Sequence, residues 1–299
     1  MTVVRINRAG PLATIQDAGR PGMLRYGISA SGPMDGAGFA RAGRWLGGAA
    51  AGGIEFTTAG LDFAVEGGGL AIAGDGGDFA IAINGKARRW PLRAALKAGD
   101  VLQITPGRWG NFGYLRFNRT LELTPVMESL ATNSIAAIGG VDGRALQAGD
   151  VLSLGAKLKR GSVTRPEPYL PDAGPLRIVW GLHADLFAAE TRQRFVTEAF
   201  RVSSRIDRMG FRLDDPNGVF ADTRLLSLVS DAVLPGDVQI LGDGAPSVLM
   251  RDHQPTGGYP RIASVTSVDL DRLAQCRPGT ELRFTPVTVQ HAQRLKTTP

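Results

Sequence analysis

The sequence predicts a mainly β protein made of two barrels of short antiparallel strands with few short helices. Three observations carry that expectation. The 299 residues include 40 glycines and only 7% aromatics, a balance that favours many short strands joined by turns over long helices. A turn motif recurs, with Leu96-Lys97-Ala98-Gly99-Asp100-Val101-Leu102 and Leu146-Gln147-Ala148-Gly149-Asp150-Val151-Leu152 nearly identical. Leu234-Pro235-Gly236-Asp237-Val238 and Arg277-Pro278-Gly279-Thr280-Glu281-Leu282 are variants, each placing a glycine turn before an apolar strand. Finally, residues 165–172 hold three prolines, which suits an extended connector and divides the chain into domains at 1–165 and 166–299.

Along the chain, Ala9-Gly10-Pro11-Leu12, Ala59-Gly60-Leu61-Asp62 and Ala173-Gly174-Pro175-Leu176 each open a strand-like run. Apolar positions at helical spacing predict a helix over 36–46. The glycine-rich stretches 67–70 and 74–77 read as hairpin turns, because no Lys-Ser/Thr pair and no long helix follows to make a phosphate cradle. Residues 79–83 read as a strand entering an Asn84-Gly85 hairpin turn. Two further helices are expected over 183–196 and 270–275.

Bulk properties narrow the function. Hydrophobic content of 43% with 21% charged residues is that of a globular chain. The net charge is +6, but the basic residues are scattered without a Lys/Arg run, which argues against nucleic-acid binding. One cysteine, Cys276, cannot make an internal disulfide and fits a reducing compartment. The N-terminus lacks the apolar core of a signal peptide, and no stretch reaches the roughly 18 apolar residues of a membrane span. A soluble, cytoplasmic protein is the expectation. Three histidines far apart give no metal-ligand spacing, and residues 27–32 fall one position short of a Gly-x-Ser-x-Gly elbow.

Two regions carry candidate chemistry. Residues 252–265 compress Asp252, Gln254, Thr256, Gly257, Gly258 and Tyr259 onto the start of a β-branched run, as a site loop sits on a rigid strand. Paired glycines let a backbone turn through positive φ and expose unobstructed amides. Near the start, Gln16, Asp17, Arg20, Ser31, Met34 and Asp35 form a short polar stretch in which an Arg flanked by two Asp could anchor a carboxylate or phosphate. Asp207-Arg208 repeats that pairing of types.

The stretch from Asp252 to Pro260 resembles the Asp-x-Gln-Thr-Thr-Gly-Gly-Tyr-Pro signature of the allophanate hydrolase subunit 2 family, also called the carboxyltransferase-domain family. Asp207-Arg208-Met209-Gly210-Phe211-Arg212-Leu213 is similar to its Asp-Arg-Met-Gly-Tyr-Arg-Leu segment. Gln16-Asp17, Gly19-Arg20, Gly22, Ser31-Gly32-Pro33-Met34-Asp35 and Glu55-Phe56-Thr57-Thr58-Ala59-Gly60 match its N-terminal half in order. Glu128-Ser129-Leu130-Ala131-Thr132 stands where the family has Gly-Ser-Arg-Ser-Thr.

That resemblance implies two cyclophilin-like barrels and one component of an ATP-dependent lactam hydrolase of the 5-oxoprolinase kind, with B-like and A-like partners and ATP bound mainly by or with a partner. It places Asp252, Asp207 and Arg208 in catalytic roles, and Gln16, Asp17, Arg20, Ser31, Met34, Asp35, Gln254, Thr256, Gly257, Gly258 and Tyr259 around the substrate. Two alternatives come with it: a carboxyltransferase acting on urea or another small amide with biotin as cofactor, and a non-catalytic regulatory module that binds a kinase-inhibitor-like partner.

Overall fold

A computed structural model describes residues 1–48, 52–159, 161–163, 174–221 and 228–297. The chain divides into two compact units, Met1–Gly22 with Ala30–Leu170 and Met23–Ser29 with Pro171–Pro299. The proline connector and the boundary expected at 165/166 lie outside the described residues. Both units are strand-built barrels of the cyclophilin-like kind.

In the first unit the strands are β1 (Thr2–Ala9), β2 (Thr14–Gln16), β3 (Gly53–Thr57), β4 (Leu61–Gly67), β5 (Leu70–Gly76), β6 (Phe79–Ile83), β7 (Lys86–Arg88), β8 (Leu92–Leu96), β9 (Val101–Pro106), β10 (Phe112–Phe117), β11 (Arg119–Leu121) and β12 (Val151–Lys157), with one helix, α1 (Gly36–Trp45). They form a seven-stranded sheet ordered β11-β12-β1-β4-β9-β6-β7 and a five-stranded sheet ordered β2-β3-β10-β5-β8. Alternation places Leu61, Phe63 and Val65 of β4 on the buried face. They join Ile6, Ile54, Phe56, Leu102, Ile104 and Phe117 in one core, each large side chain worth about 1.5–3 kcal/mol on burial.

The repeated turn motif has one geometry throughout. The amides of Asp100, Asp150, Asp237 and Thr280 close their turns on the carbonyls three residues back, Lys97, Gln147, Leu234 and Arg277. The intervening Gly99, Gly149, Gly236 and Gly279 sit at φ 87°, 95°, 98° and 85°, the left-handed position that a type II turn assigns to glycine. Each glycine amide then donates to a neighbouring strand, to Val65, Ile6, Leu249 and Val202 respectively. Where the motif carries Asp, its carboxylate also caps the turn, accepting from Lys97, Gln147 and Leu234 amides at 2.9, 2.8 and 3.0 Å. The motif is therefore a staple that fixes strand starts in both units.

The second unit contains β13 (Leu176–Trp180), α2 (Ala189–Thr197), β14 (Phe200–Ile206), β15 (Gly210–Asp214), β16 (Asp231–Ala232), β17 (Asp237–Ile240), β18 (Pro246–Leu249), β19 (Thr256–Gly257), β20 (Arg261–Val265), α3 (Ser267–Ala274), β21 (Glu281–Leu282), β22 (Phe284–Pro286) and α4 (Val289–Thr297). Its main sheet has eight strands ordered β21-β14-β15-β18-β17-β20-β13-β22, with β13 and β22 parallel. A separate ribbon pairs β16 with β19. Phe195, Phe200, Phe220 and Phe284 fill the core, Phe195 stacking on Phe284 at 4.7 Å between ring centroids.

Several expectations needed correction. The helix expected over 183–196 breaks into a short turn, Ala184–Leu186, and α2, because Phe187 and Ala188 are extended at ψ 139° and 148°. That break turns the Phe187 ring inward against Phe220 at 5.9 Å. Gly74 and Gly76 lie in β5 and not in a hairpin turn; a Cβ on Gly74 would sit 2.5 Å from the Trp90 ring, so the glycine makes room for the indole. The 270–275 helix begins earlier, at Ser267, and α4 had no counterpart in the sequence reading. The Asn84-Gly85 hairpin forms as expected, with both residues at positive φ between paired Ile83 and Lys86.

Candidate functional site

The 252–261 segment leaves β18, passes through the strand β19, which pairs with β16, and enters β20. Within and beside it, Asp237, Gln239, Arg261 and Asp252 are all at least nine-tenths buried, a concentration of polar groups that a barrel interior tolerates only when they bond one another. Asp252 faces Arg208: Nε donates to Oδ2 at 2.7 Å and Nη2 to Oδ1 at 3.2 Å, while the Asp252 amide donates to the Arg208 carbonyl at 2.7 Å. This is the planar two-pronged geometry that suits guanidinium to carboxylate.

Arg261 performs the matching task under the ribbon. Its Nη1 donates to the Ala232 carbonyl and its Nη2 to Asp231, both at 2.7 Å, and Asp237 stands 3.4 Å away. The Asp231 carboxyl is held below its ordinary range by the Ala232 amide and by Arg261. Ser264 donates to Asp237 at 2.5 Å. Gln254 Nε2 donates to Gln239 Oε1 at 3.3 Å. His253 is buried, its Nδ1 lies 2.6 Å from the Gln254 carbonyl, and burial lowers its pKa so that the ring is neutral near pH 7.

The sequence-nominated residues thus take distinct places. Asp252 and Arg208 form the buried pair, and Gln254 joins the amide pair. Thr256 and Tyr259 are exposed, Gly257 is half-buried in the ribbon, and the Gly258 carbonyl accepts from the Leu228 amide at 2.9 Å. Asp207 is exposed and caps its own turn, accepting from the Met209 and Gly210 amides at 2.7 and 3.0 Å. Gly257 is not at positive φ, contrary to expectation; a Cβ there would stand 2.5 Å from Gln239 Nε2. Gln239, Arg261, Asp237 and His253 were not nominated. The polar residues inside otherwise apolar strands 237–240 and 261–265 were the available signal.

In the first unit the nominated cluster closes on itself. Arg20 is buried, with Nη1 donating to Ser31 Oγ at 3.2 Å and Nη2 to the Ala131 carbonyl. Asp17 accepts from the Gly19 amide, Ser129 Oγ and the Leu130 amide at 2.8, 2.6 and 2.6 Å. The loop before α1 is gripped through consecutive amides. Gly32 donates to Gln16 Oε1 at 3.1 Å, Met34 to Glu55 Oε2 at 2.7 Å and Asp35 to Tyr114 Oη at 2.7 Å, while Asp35 Oδ1 caps the helix through the Gly38 amide. Burial, with Glu55 and Asp35 nearby, pushes the Tyr114 phenol well above its ordinary range. Glu55 and Tyr114 lie inside strands β3 and β10, far in sequence from the nominated segment, and only strand pairing brings them to it. Among the described residues no group of three His, Cys, Asp or Glu side chains could hold a metal ion.

Two strand-built barrels, one carrying a buried polar face under a two-stranded ribbon, define a mainly β two-barrel class of protein. The chain belongs to the carboxyltransferase-domain family, subdomains A and B, whose family model matches residues 26–286. It is 32% identical to the 5-oxoprolinase C subunit of Escherichia coli (strain K12), over 98% of this chain and 94% of that protein. It is 29% identical to the urea amidolyase of Lachancea kluyveri over 97% of this chain but only 17% of that protein. Among solved structures, the K. lactis urea amidolyase superposes with a TM-score of 0.88 at 25% identity, covering 99% of this chain and 19% of that one. Among the described residues no helix is long and apolar enough to cross a membrane.

Proposed function

We propose that this chain is the C-type component of an ATP-dependent 5-oxoprolinase, opening the lactam of 5-oxoproline to glutamate together with A-like and B-like partners. The observation that carries the reading is the match to the 5-oxoprolinase C subunit over nearly the full length of both chains. An unstrained lactam resists water because its carbonyl carbon is a poor electrophile, and phosphorylating the carbonyl oxygen makes that carbon attackable. The step needs donors facing developing negative charge and a carboxylate to orient water or the ring nitrogen.

In this reading the amides of Gly257 and Gly258 face the ligand oxygen, with Gln254, Thr256 and Tyr259 around it. Arg208 is the cationic member, and Asp252, bound to Arg208 through both oxygens, holds it in place. Asp207 is the accessible carboxylate. The glycine-rich stretches 67–70 and 74–77 run from the end of β4 into β5 and from β5 into the turn after it, with strands and no helix following, so they do not fit a phosphate cradle, and ATP is assigned to a partner. The experiment is ATP-dependent glutamate release from 5-oxoproline by the complex reconstituted with its A-like and B-like partners. Turnover only with this chain present is expected; no turnover with all three chains would overturn the reading.

The superposition on urea amidolyase supports a second reading, biotin-dependent carboxyl transfer to urea or another small amide. In that case activity would be abolished by avidin, whereas the lactamase reading requires avidin to have no effect.

A further inference from the structure

The 79–99 segment holds Lys86, Arg88, Arg89 and Arg93 within it and no acidic residue. All four of these cations are exposed, and among the described residues none of them enters an ion pair. They sit on an arm made of β7 and β8, the end strands of the seven-stranded and five-stranded sheets. The backbone of β7 is open on one side. In the Asn84-Gly85 hairpin the closing residues, Ile83 and Lys86, exchange their backbone hydrogen bonds, so the alternation of an antiparallel ladder turns the Ala87 N–H and C=O away from β6. Lys86 and Arg88 share one face of that strand, with the methyl of Ala87 on the other.

We propose that β7 is a docking strand for an acidic, extended segment of a partner chain, which adds to the edge of the seven-stranded sheet and sets its carboxylates across from Lys86 and Arg88. Main-chain bonds to Ala87 supply the pairing, and opposite charges at facing positions supply the selectivity. A second copy of this chain does not fit, because antiparallel pairing of β7 with itself sets Lys and Arg against Lys and Arg. A single-stranded nucleic acid fits no better. Its bases need exposed rings to stack on, and the arm's one aromatic, Trp90, packs against Phe56 and Phe79 with its Nε1 donating to the Gly77 carbonyl at 2.6 Å. Charge on an edge strand also serves to keep other strands away; in that role alone β7 captures nothing. This surface does not depend on which small molecule the protein acts on.

The test titrates the full-length chain with a labelled short peptide of alternating Glu and Val, followed by fluorescence anisotropy and by amide exchange read by NMR. Binding is expected, with exchange of the Ala87 amide slowed at least about tenfold. Affinity should fall at least about tenfold as salt rises from roughly 0.05 to 0.5 M. Ala87→Pro keeps every charge and removes the outward N–H, a change an edge strand tolerates, and should lower affinity at least about tenfold with the melting temperature held. Lys86→Ala with Arg88→Ala keeps the N–H and removes two charges; affinity should fall by a similar factor and its salt dependence should flatten. Should Ala87→Pro lose its fold, slowed exchange of the Ala87 amide in the wild type decides. No binding by the wild type overturns the proposal and leaves edge protection. Equal binding of a peptide of alternating Glu and Pro, which cannot form a strand, or undiminished binding by a folded Ala87→Pro, means contact through charge alone and overturns it as well. Tighter binding of oligouridylate than of the Glu-Val peptide overturns it in favour of nucleic acid.

Discussion

The guanidinium of Arg208 and the carboxylate of Asp252 meet through two hydrogen bonds of 2.7 and 3.2 Å, with both residues 3% exposed. Two buried charges in that arrangement are each other's solvation, so the pair is a structural commitment as much as a chemical one.

Asp252→Asn, which in a solvated loop would leave folding intact, therefore destabilises the protein here. Breaking a buried pair by removing one charge costs about 3–5 kcal/mol, whereas replacing both charges with apolar residues is close to neutral. Denaturant melts should show Asp252→Asn and Arg208→Met each lowering stability by that order, and Arg208→Met with Asp252→Leu recovering most of it. Additive losses in the double variant would argue that the two side chains are not coupled.

At Gly257 an added Cβ meets first the far end of the Gln239 side chain, at 2.5 Å, and then Gln254 Nε2 and Val233 at 3.3 and 3.4 Å. A displaced amide can swing aside, so Gly257→Ala should cost stability only about 1 kcal/mol while lowering ligand affinity. Gly139 offers the contrast: φ is 71° and an added Cβ would run into the Ala131 carbonyl oxygen. Gly139→Ala carries roughly 1–3 kcal/mol of conformational strain before that backbone clash is counted. Thermal melts of the two variants should rank Gly139→Ala well below Gly257→Ala.

Acid should unfold the second unit through Asp269. Burial pushes its carboxyl up, but hydrogen bonds from Arg177 and Arg272 outweigh that and hold it below the ordinary 3.8. A folded pKa below the unfolded one means the unfolded chain binds the proton more tightly. The stabilisation is thus complete above about pH 4 and is lost as pH falls through the folded value. Urea midpoints measured from pH 6 down to pH 2 should fall most steeply below 4, and Asp269→Asn should flatten that fall while lowering the plateau.

Burial pushes the Cys276 thiol up to about 11, with Arg272 opposing the shift. Thiolate is the reactive form, and an ordinary cysteine near pKa 8.5 is about one quarter thiolate at pH 8. Iodoacetamide should label the native protein about two orders of magnitude more slowly than the urea-unfolded chain at that pH. Equal rates would mean the sulfur is solvated in the native state.

How much was legible differs by element. The Leu-x-x-Gly-Asp turns were readable because their geometry is local: the glycine's φ, the closing hydrogen bond and the Asp cap all lie within four residues. The same holds for Asn84-Gly85. The helix over 183–196 was misjudged because its break depends on Phe187 reaching Phe220, a contact 33 positions distant that no window of helical periodicity contains.

The candidate sites divide along the same line. Residues crowded into one segment, such as Asp207-Arg208 and 252–259, announce themselves by composition. Gln239 and Arg261 do not, since each lies inside a short strand among apolar residues, and only strand pairing sets Gln239 opposite Arg261 and brings its amide to Gln254.

By itself the sequence determined the strand-and-turn grammar, the family motifs and the segments rich in polar groups, because those are properties of neighbouring residues. The tertiary structure alone decided which charges neutralise each other and which donors stay unmade. Asp252 meets Arg208 across 44 positions, and Asp17 is closed by Ser129 across 112. Such pairings arise when the barrel brings distant strands within hydrogen-bond reach and removes the water that would otherwise have satisfied every one of those groups separately.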